Sequence, residues 1–215
     1  MMDSTLWQRS DETERESDGF LAGLAVGEVT DNKDPQNLAR VRVRLPWHTD
    51  GETSYWARAA MPMAGSGRGT YFLAEVGDEV LVAAENGDPS HLYVLGVLWN
   101  GRQKPPADNA DGANNKRMIQ SRSGHIVRFN DDDSAPEIEV KLADGKRILL
   151  DKSGITIDDA HQNVITLDAS SGAIEISAAQ QLTLKAPTVS IEATTSMTVK
   201  SSGTLQLNGS VVQIN

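Results

Sequence analysis

The last part of the chain repeats one pattern: apolar, polar, apolar, then a short polar gap. The triplets are Ile155-Thr-Ile157, Ile165-Thr-Leu167, Ile174-Glu-Ile176, Leu182-Thr-Leu184, Val189-Ser-Ile191, Met197-Thr-Val199, Leu205-Gln-Leu207 and Val212-Gln-Ile214. From the second triplet onward they start at 165, 174, 182, 189, 197, 205 and 212, so the steps are 9, 8, 7, 8, 8 and 7. A sustained short period marks a repeat architecture. Period two within each triplet puts two apolar side chains on one strand face and one polar side chain on the other. A helix would scatter the triplets around all sides, and Thr, Val and Ile are better strand formers.

One such strand cannot bury its two apolar residues alone. Stacked strands, about 4.8 Å apart, bury a continuous apolar column. Single-chain solenoids use coils of about six or nine residues. A step near eight with one apolar pair per step fits a three-walled prism better, with three chains interleaving and each supplying one strand per wall. The expectation is a homotrimer, with a monomeric solenoid as the alternative. Its core residues are Ile165, Leu167, Ile174, Ile176, Leu182, Leu184, Val189, Ile191, Met197, Val199, Leu205 and Leu207. Eight stacked triplets give a shaft of about 40 Å. Each buried aliphatic side chain contributes roughly 1.5–3 kcal/mol before entropy is subtracted.

The upstream region reads differently. Residues 20–100 hold five strand signals separated by turn residues: Leu24–Val29, Ala39–Leu45, Tyr55–Met61, Gly77–Ala84 and Leu92–Leu98. Ala39-Arg-Val-Arg-Val-Arg-Leu45 alternates strictly, with Val41, Val43 and Leu45 on one face. The sequence places the turn between the last two strands at Gly87-Asp-Pro-Ser90. Five short strands without helical periodicity predict a closed barrel of the oligonucleotide/oligosaccharide-binding (OB) type, whose closure removes exposed edges. The predicted fold is all-β: an acidic disordered tail at 1–19, the OB-type barrel at 20–100, a Pro- and Asn-rich linker at 101–117, a neck at 118–154, and an intertwined triple-stranded β-helix at 155–215.

Composition excludes several functions. With no Cys the chain builds no disulfide scaffold, iron–sulfur cluster or thiol nucleophile. Its longest apolar stretch, Val80–Ala84, is far short of the roughly 20 residues of a membrane span. Residues 1–18 are polar and acidic, so no secretory signal is expected there. A net charge of −10 argues against nucleic acid or an anionic membrane as the main partner. The tail carries six carboxylates against Arg9 and Arg15, and buries too little to order itself. Leu6 and Trp7 are its apolar exception and a candidate partner anchor.

The second region resembles the OB domain of the VgrG and phage baseplate-assembly-protein-V spike family. The resemblance rests on Ala39-Arg-Val-Arg-Val-Arg-Leu-Pro-Trp47, Tyr55-Trp-Ala-Arg58, Gly67-Arg-Gly-Thr-Tyr-Phe-Leu73, Glu75-Val-Gly-Asp-Glu-Val-Leu-Val82, Asn86-Gly-Asp-Pro89, Val94-Leu-Gly96 and Asn100-Gly101. Ser121-Arg-Ser-Gly-His125 with Asp131-Asp132 resembles the family's neck; Ile148-Leu-Leu-Asp151 and the later triplets resemble its β-helix. The resemblance implies a homotrimeric, non-enzymatic spike of a phage tail, tailocin or injection system, with no cofactor. It implies a separate hub protein below and a PAAR-type tip protein above, assembly in the cytoplasm, and contact with a membrane only on puncture. A stand-alone spike without hub, lysozyme or effector domains is expected.

Candidate sites follow from this. Val211, Val212 and Ile214 close the repeat with no polar cap after them, which makes them the expected tip-protein contact. Arg40, Arg42, Arg44 and Arg58 are expected to face a partner subunit or neighbouring barrel, Arg42 and Arg44 being candidate hub contacts with Leu6 and Trp7. His48, His91, His125 and His161 have no metal-ligand spacing, and His125 is expected to pack or cap. Gly65-Ser-Gly-Arg-Gly69 lacks the Lys-Ser/Thr of a phosphate loop and reads as a barrel loop. Asp131-Asp-Asp133 lacks the later Gly and Glu of a calcium loop and reads as a hairpin turn. The competing functions are a carbohydrate-binding or depolymerising tail fibre, using carboxylates among Asp158, Asp159, Asp168, Glu175 and Glu192, and a nucleic-acid-binding OB module.

Overall fold

A computed structural model describes residues 21, 23–49 and 51–214. Leu6, Trp7 and the predicted tail lie outside the described residues. Among the described residues every regular element is a strand. The chain divides into two units, residues 1–110 and 111–215.

The first unit holds β1 (Leu24–Asp31), β2 (Arg40–Arg44), β3 (Ala57–Ala59), β4 (Ala64–Gly65), β5 (Arg68–Gly69), β6 (Glu79–Glu85) and β7 (Asp88–Leu98). Five of these close a barrel in the order β1-β2-β3-β7-β6, as expected from the sequence. All neighbours are antiparallel except β3 and β7, which run parallel and complete the ring. Alternation sets the core: Ala25 and Val29 from β1, Val41 and Val43 from β2, Ala57 from β3, Val80 and Val82 from β6, and Leu92 and Val94 from β7 point inward with Leu45 and Ala74. Val29, Val41, Val43, Val80 and Val82 are wholly buried, each contributing roughly 1.5–3 kcal/mol. The buried Ser54 hydroxyl accepts from the Val43 amide at 2.9 Å and donates to the Tyr55 carbonyl at 2.7 Å, so neither lone pair nor proton is stranded.

The β1–β2 turn is organised by a buried carboxylate. Asp34 accepts from the Gln36 and Leu38 amides at 2.9 and 3.0 Å and from Arg40 Nε and Nη2 at 2.8 Å each. The Arg40 guanidinium, then these amides, hold its carboxyl well below the usual carboxylate range. That network fixes Asn37 and Ala39 in the left-handed region, at φ 56° and 55°.

The β6–β7 turn differs from the sequence reading. The chain reverses at Asn86-Gly87, with φ 53° and 79°, and Asp88, Pro89 and Ser90 already open β7. Glu85 pairs with Asp88 across it. Two positive-φ residues form the turn whose twist matches the strands, which Asn-Gly supplies most readily. Pro89 sits near the strand start, where a missing donor is tolerated.

The second unit is one antiparallel meander of β8 (Lys116–Gln120), β9 (Ile126–Asn130), β10 (Glu137–Lys141), β11 (Arg147–Asp151), β12 (Gly154–Asp158), β13 (Val164–Asp168) and β14 (Ile174–Ser177). The first three triplets form β12, β13 and β14. Alternate turns share an Asp-x-Ser lock: Asp132, Asp151 and Asp168 each accept from the backbone and hydroxyl of the Ser two residues on. The Ser170 hydroxyl and adjacent amides hold the Asp168 carboxyl down to about 2. Residues 178–214 form no strand, and the five later triplets have no pairing partner within the described chain.

Candidate assembly interface

The register of the meander sorts its side chains into rows. Ile119 faces Val127, Val127 faces Val140, Val140 faces Ile148, Ile148 faces Ile157, Ile157 faces Ile165 and Ile165 faces Ile176. Two residues along each strand runs a second row: Phe129, Ile138, Leu150, Ile155, Leu167 and Ile174. Both rows lie on one face as a double apolar ladder, the first running over seven strands and the second over six, since β8 has Arg117 at the second position. Cross-strand pairs of this kind are the unit of sheet stabilisation, yet in the single chain this face stays open. Ile157 is 42% exposed, Ile165 36% and Ile176 52%. A groove of about 600 Å³ runs along it between Val140 and Leu182.

The opposite face mixes polar side chains with Met118, Ile126, Leu149 and Val164 and is better covered. Arg128 there reaches Glu137 at 2.5 Å and Glu139 at 2.8 Å, and Glu139 is only 5% exposed. Thr156 and Thr166 face each other, and Thr166 faces Glu175. A sheet that leaves its more apolar face open and shelters the mixed one is an incomplete structure in water. An apolar patch of this extent marks an interaction surface. The trimer-core residues expected further along behave alike: Leu182, Leu184, Val189, Ile191, Met197, Val199, Leu205 and Leu207 are all more than half exposed, as are Val211, Val212 and Ile214.

The remaining expected sites have local roles. Arg44 pairs with Glu28 at 2.7 Å, Arg40 is held by Asp34, and Arg42 and Arg58 lie over Trp56 and Tyr93. His125 Nδ1 accepts from the Ala143 amide at 3.2 Å, joining the β8–β9 and β10–β11 turns, while Ser121 Oγ accepts from the His125 amide at 3.0 Å. His48 Nδ1 accepts from the Leu45 amide at 3.2 Å. Ser66-Gly67 is the turn of the small β4–β5 hairpin, and Asp131–Pro136 links β9 to β10. Among the described residues no three His, Asp or Glu side chains gather as a metal would need.

One constellation was not read from the sequence. Asp88, Ser90 and His91 touch one another, with Ser90 Oγ and Asp88 Oδ2 at 3.1 and 3.0 Å from the same His91 Nδ1. A nucleophilic triad needs Ser and Asp on opposite ring nitrogens, so this trio cannot relay a proton. It is a turn cap: the Ser90 hydroxyl and amide hold the Asp88 carboxyl down to about 2. Asp158 and Asp159 of the shaft are occupied too, as is Asp168. Asp159 accepts from the His161 and Asn163 amides, and Asp158 lies 3.8 Å from Arg147.

Residues 25–99, the closed barrel, match the Type VI secretion system/phage-baseplate injector OB domain. Through this barrel, about a third of its length, the chain is similar to the VgrG and phage-baseplate spike proteins. It is 31% identical over 93 residues to the type VI secretion system spike protein VgrG3 of Vibrio cholerae serotype O1, covering 41% of this chain and 9% of that protein. It is 28% identical over 119 residues to the spike protein VgrG1a of Pseudomonas aeruginosa, covering 53% of this chain and 18% of that one. A third relative, the actin cross-linking toxin VgrG1 of Vibrio cholerae serotype O1, is 27% identical over 104 residues, or 46% of this chain and 10% of the toxin. The chain thus spans less than a fifth of the length of these members of the VgrG family. No helix among its described residues is long and apolar enough to cross a membrane.

Proposed function

We propose that the chain is a structural, non-enzymatic central spike of a contractile-tail or injection-system baseplate, working as a homotrimer. The observation that carries this reading is the open double apolar ladder of the meander, continued by the exposed triplets to Ile214, in a chain whose barrel is of the spike family. Three chains that bring these ladders together bury both rows and give the later triplets strand partners. Buried at roughly 1.5–3 kcal/mol per side chain, such a shaft is rigid. Rigidity is what the task demands. The spike meets the target envelope first when the sheath drives the tube forward, and it must transmit load without buckling. A hub protein supports the barrels, and a PAAR-type tip covers Val211, Val212 and Ile214. Assembly in the cytoplasm precedes incorporation into the particle.

Electron microscopy of particles assembled with and without this chain tests the role. Loss of the axial density below the tube, with loss of target-cell killing, is the expected result. Particles that keep that density and kill at the same rate without the chain contradict it.

A further inference from the structure

The segment between β3 and β6 is an ordered arm with no core of its own. From Pro62 to Gly69, and again at Tyr71 and Phe72, every residue is exposed. Yet β4 and β5 pair Ala64 with Gly69 and Gly65 with Arg68. The Thr70 amide donates to the Met63 carbonyl at 3.0 Å, and the Met63 amide donates to the Thr70 hydroxyl at 3.2 Å. A two-stranded hairpin without a packing partner is marginal in water. This one presents Met63, Tyr71 and Phe72 at 53%, 73% and 59% exposure. Its Arg68 side chain lies across Gly65 and meets no carboxylate among the described residues.

The outer wall of β1, β6 and β7 offers the complement. Leu24 faces Ala83 and Ala83 faces Tyr93; Val26 faces Leu81 and Leu81 faces Gly96. These residues alternate with the inward Ala25 and Val82, so they lie outside the barrel. Leu24 is 58% exposed, Val26 41%, and Leu95, which the irregularity in β7 leaves unpaired, 46%. Gly96 puts no side chain on this patch, and nothing lies within 4 Å of where its Cβ would stand, which leaves a notch beside Leu81. At one end of the patch Glu28 and Glu79 face each other across β1 and β6. Arg44 answers Glu28, whereas Glu79 has only the Asn100 side-chain amide at 3.3 Å. The arm thus matches the wall in kind: large apolar side chains and one unanswered guanidinium against an apolar floor and one unanswered carboxylate. Both surfaces are exposed in the single chain, so the arm does not cover its own wall.

We propose that the β4–β5 arm of one copy docks on the β1–β6–β7 wall of a neighbouring copy, with Tyr71 and Phe72 on Leu24 and Val26, and Arg68 at Glu79. Each aromatic side chain buries roughly 150–250 Å² in such a seat. Arm and wall are different surfaces, so the contact is heterologous, and it forms a ring when the rotation between copies closes. The homotrimeric spike supplies that rotation, and the inference rests on that reading. The barrels are then joined by a contact separate from the apolar ladders of the meander.

The chain has no Cys, so introduced cysteines report the contact without background. Tyr71→Cys and Val26→Cys, both at exposed positions, are combined and the assembled protein is treated with a short bismaleimide. Covalent dimers and trimers on a denaturing gel are expected. Each single-cysteine variant is expected to give single chains only, because arm does not meet arm and wall does not meet wall. Arg68→Glu in the double-cysteine protein is expected to slow cross-linking about tenfold, and adding Glu79→Arg to restore it. A double-cysteine protein that sediments as a trimer yet cross-links only within one chain, or not at all, overturns the arm contact and leaves the spike reading standing. A single-chain mass overturns both. Cross-linking between copies of the Tyr71→Cys variant alone, or a rate indifferent to Arg68→Glu, overturns the arm contact too.

Discussion

Ile157→Asp combined with Ile165→Asp is expected to turn the assembled protein into single chains whose barrel remains folded. The two residues face each other across β12 and β13, in the middle of the first apolar row. In one chain they are 42% and 36% exposed, so carboxylates there stay hydrated and cost the monomer little. In three joined ladders they would be sealed in, six carboxylates around one axis. Burial without partners costs several kcal/mol for each, and their mutual repulsion adds to it. No plausible gain elsewhere offsets a penalty of that size. Sedimentation measures the outcome: a single-chain mass for the variant, with barrel circular dichroism unchanged. Thr156→Ala with Thr166→Ala, on the opposite face of the same strands, should leave the mass as it was. A variant with both aspartates that still sediments like the parent protein places the interface elsewhere.

The second large effect is expected at Gly154, which opens β12. Its φ is +139°, a conformation that side chains rarely adopt. A Cβ built there would run into the Leu167 carbonyl oxygen and stand 3.0 Å from the carbonyl carbon, and both are backbone that cannot swing aside. Gly154→Ala must therefore push β12 away from β13 at the Gly154–Asp168 pair. Strain and lost pairing together cost about 3 kcal/mol or more. Gly172, in the β13–β14 turn at φ +69°, has open space around it. Gly172→Ala carries only the conformational penalty of about 1 kcal/mol. Urea titration of the meander should show the first variant shifted several times further than the second. Equal shifts would mean that the close approach at Leu167 is not a real constraint.

Much of this architecture was legible in the residues. Val41, Val43 and the three arginines between and around them alternate so strictly that β2 could be drawn from sequence, and the barrel closes with the five strands expected. The first three triplets were legible as strands because period two needs no knowledge of the partner, whereas the five later ones form no strand in the described chain. Other features were hidden for definite reasons. The β6–β7 turn was placed two residues late because Pro89 is a stronger general breaker than Asn86, whereas the twist match of Asn-Gly decides the position. Asp34 carried no local sign that it would gather Arg40 and the turn amides, since that depends on how residues 34–40 curl in space. The aromatic rings under Arg42 and Arg58 fall into place only when β3 is laid between β2 and β7, a contact joining residues 58 and 93. Only the part of the two apolar rows on β12, β13 and β14 was visible in the sequence, as the first three triplets. That the same face would be left open by one chain follows from the register of seven strands, which no single triplet contains.

The central claim is that the meander and the later triplets cannot hide their apolar side chains except against two further copies. Sedimentation equilibrium of the purified chain tests it most directly. Three times 23.2 kDa, about 70 kDa, independent of concentration down to the micromolar range, is the predicted mass. A cooperatively folding species of 23.2 kDa, protected from proteolysis through residues 155–214, contradicts it.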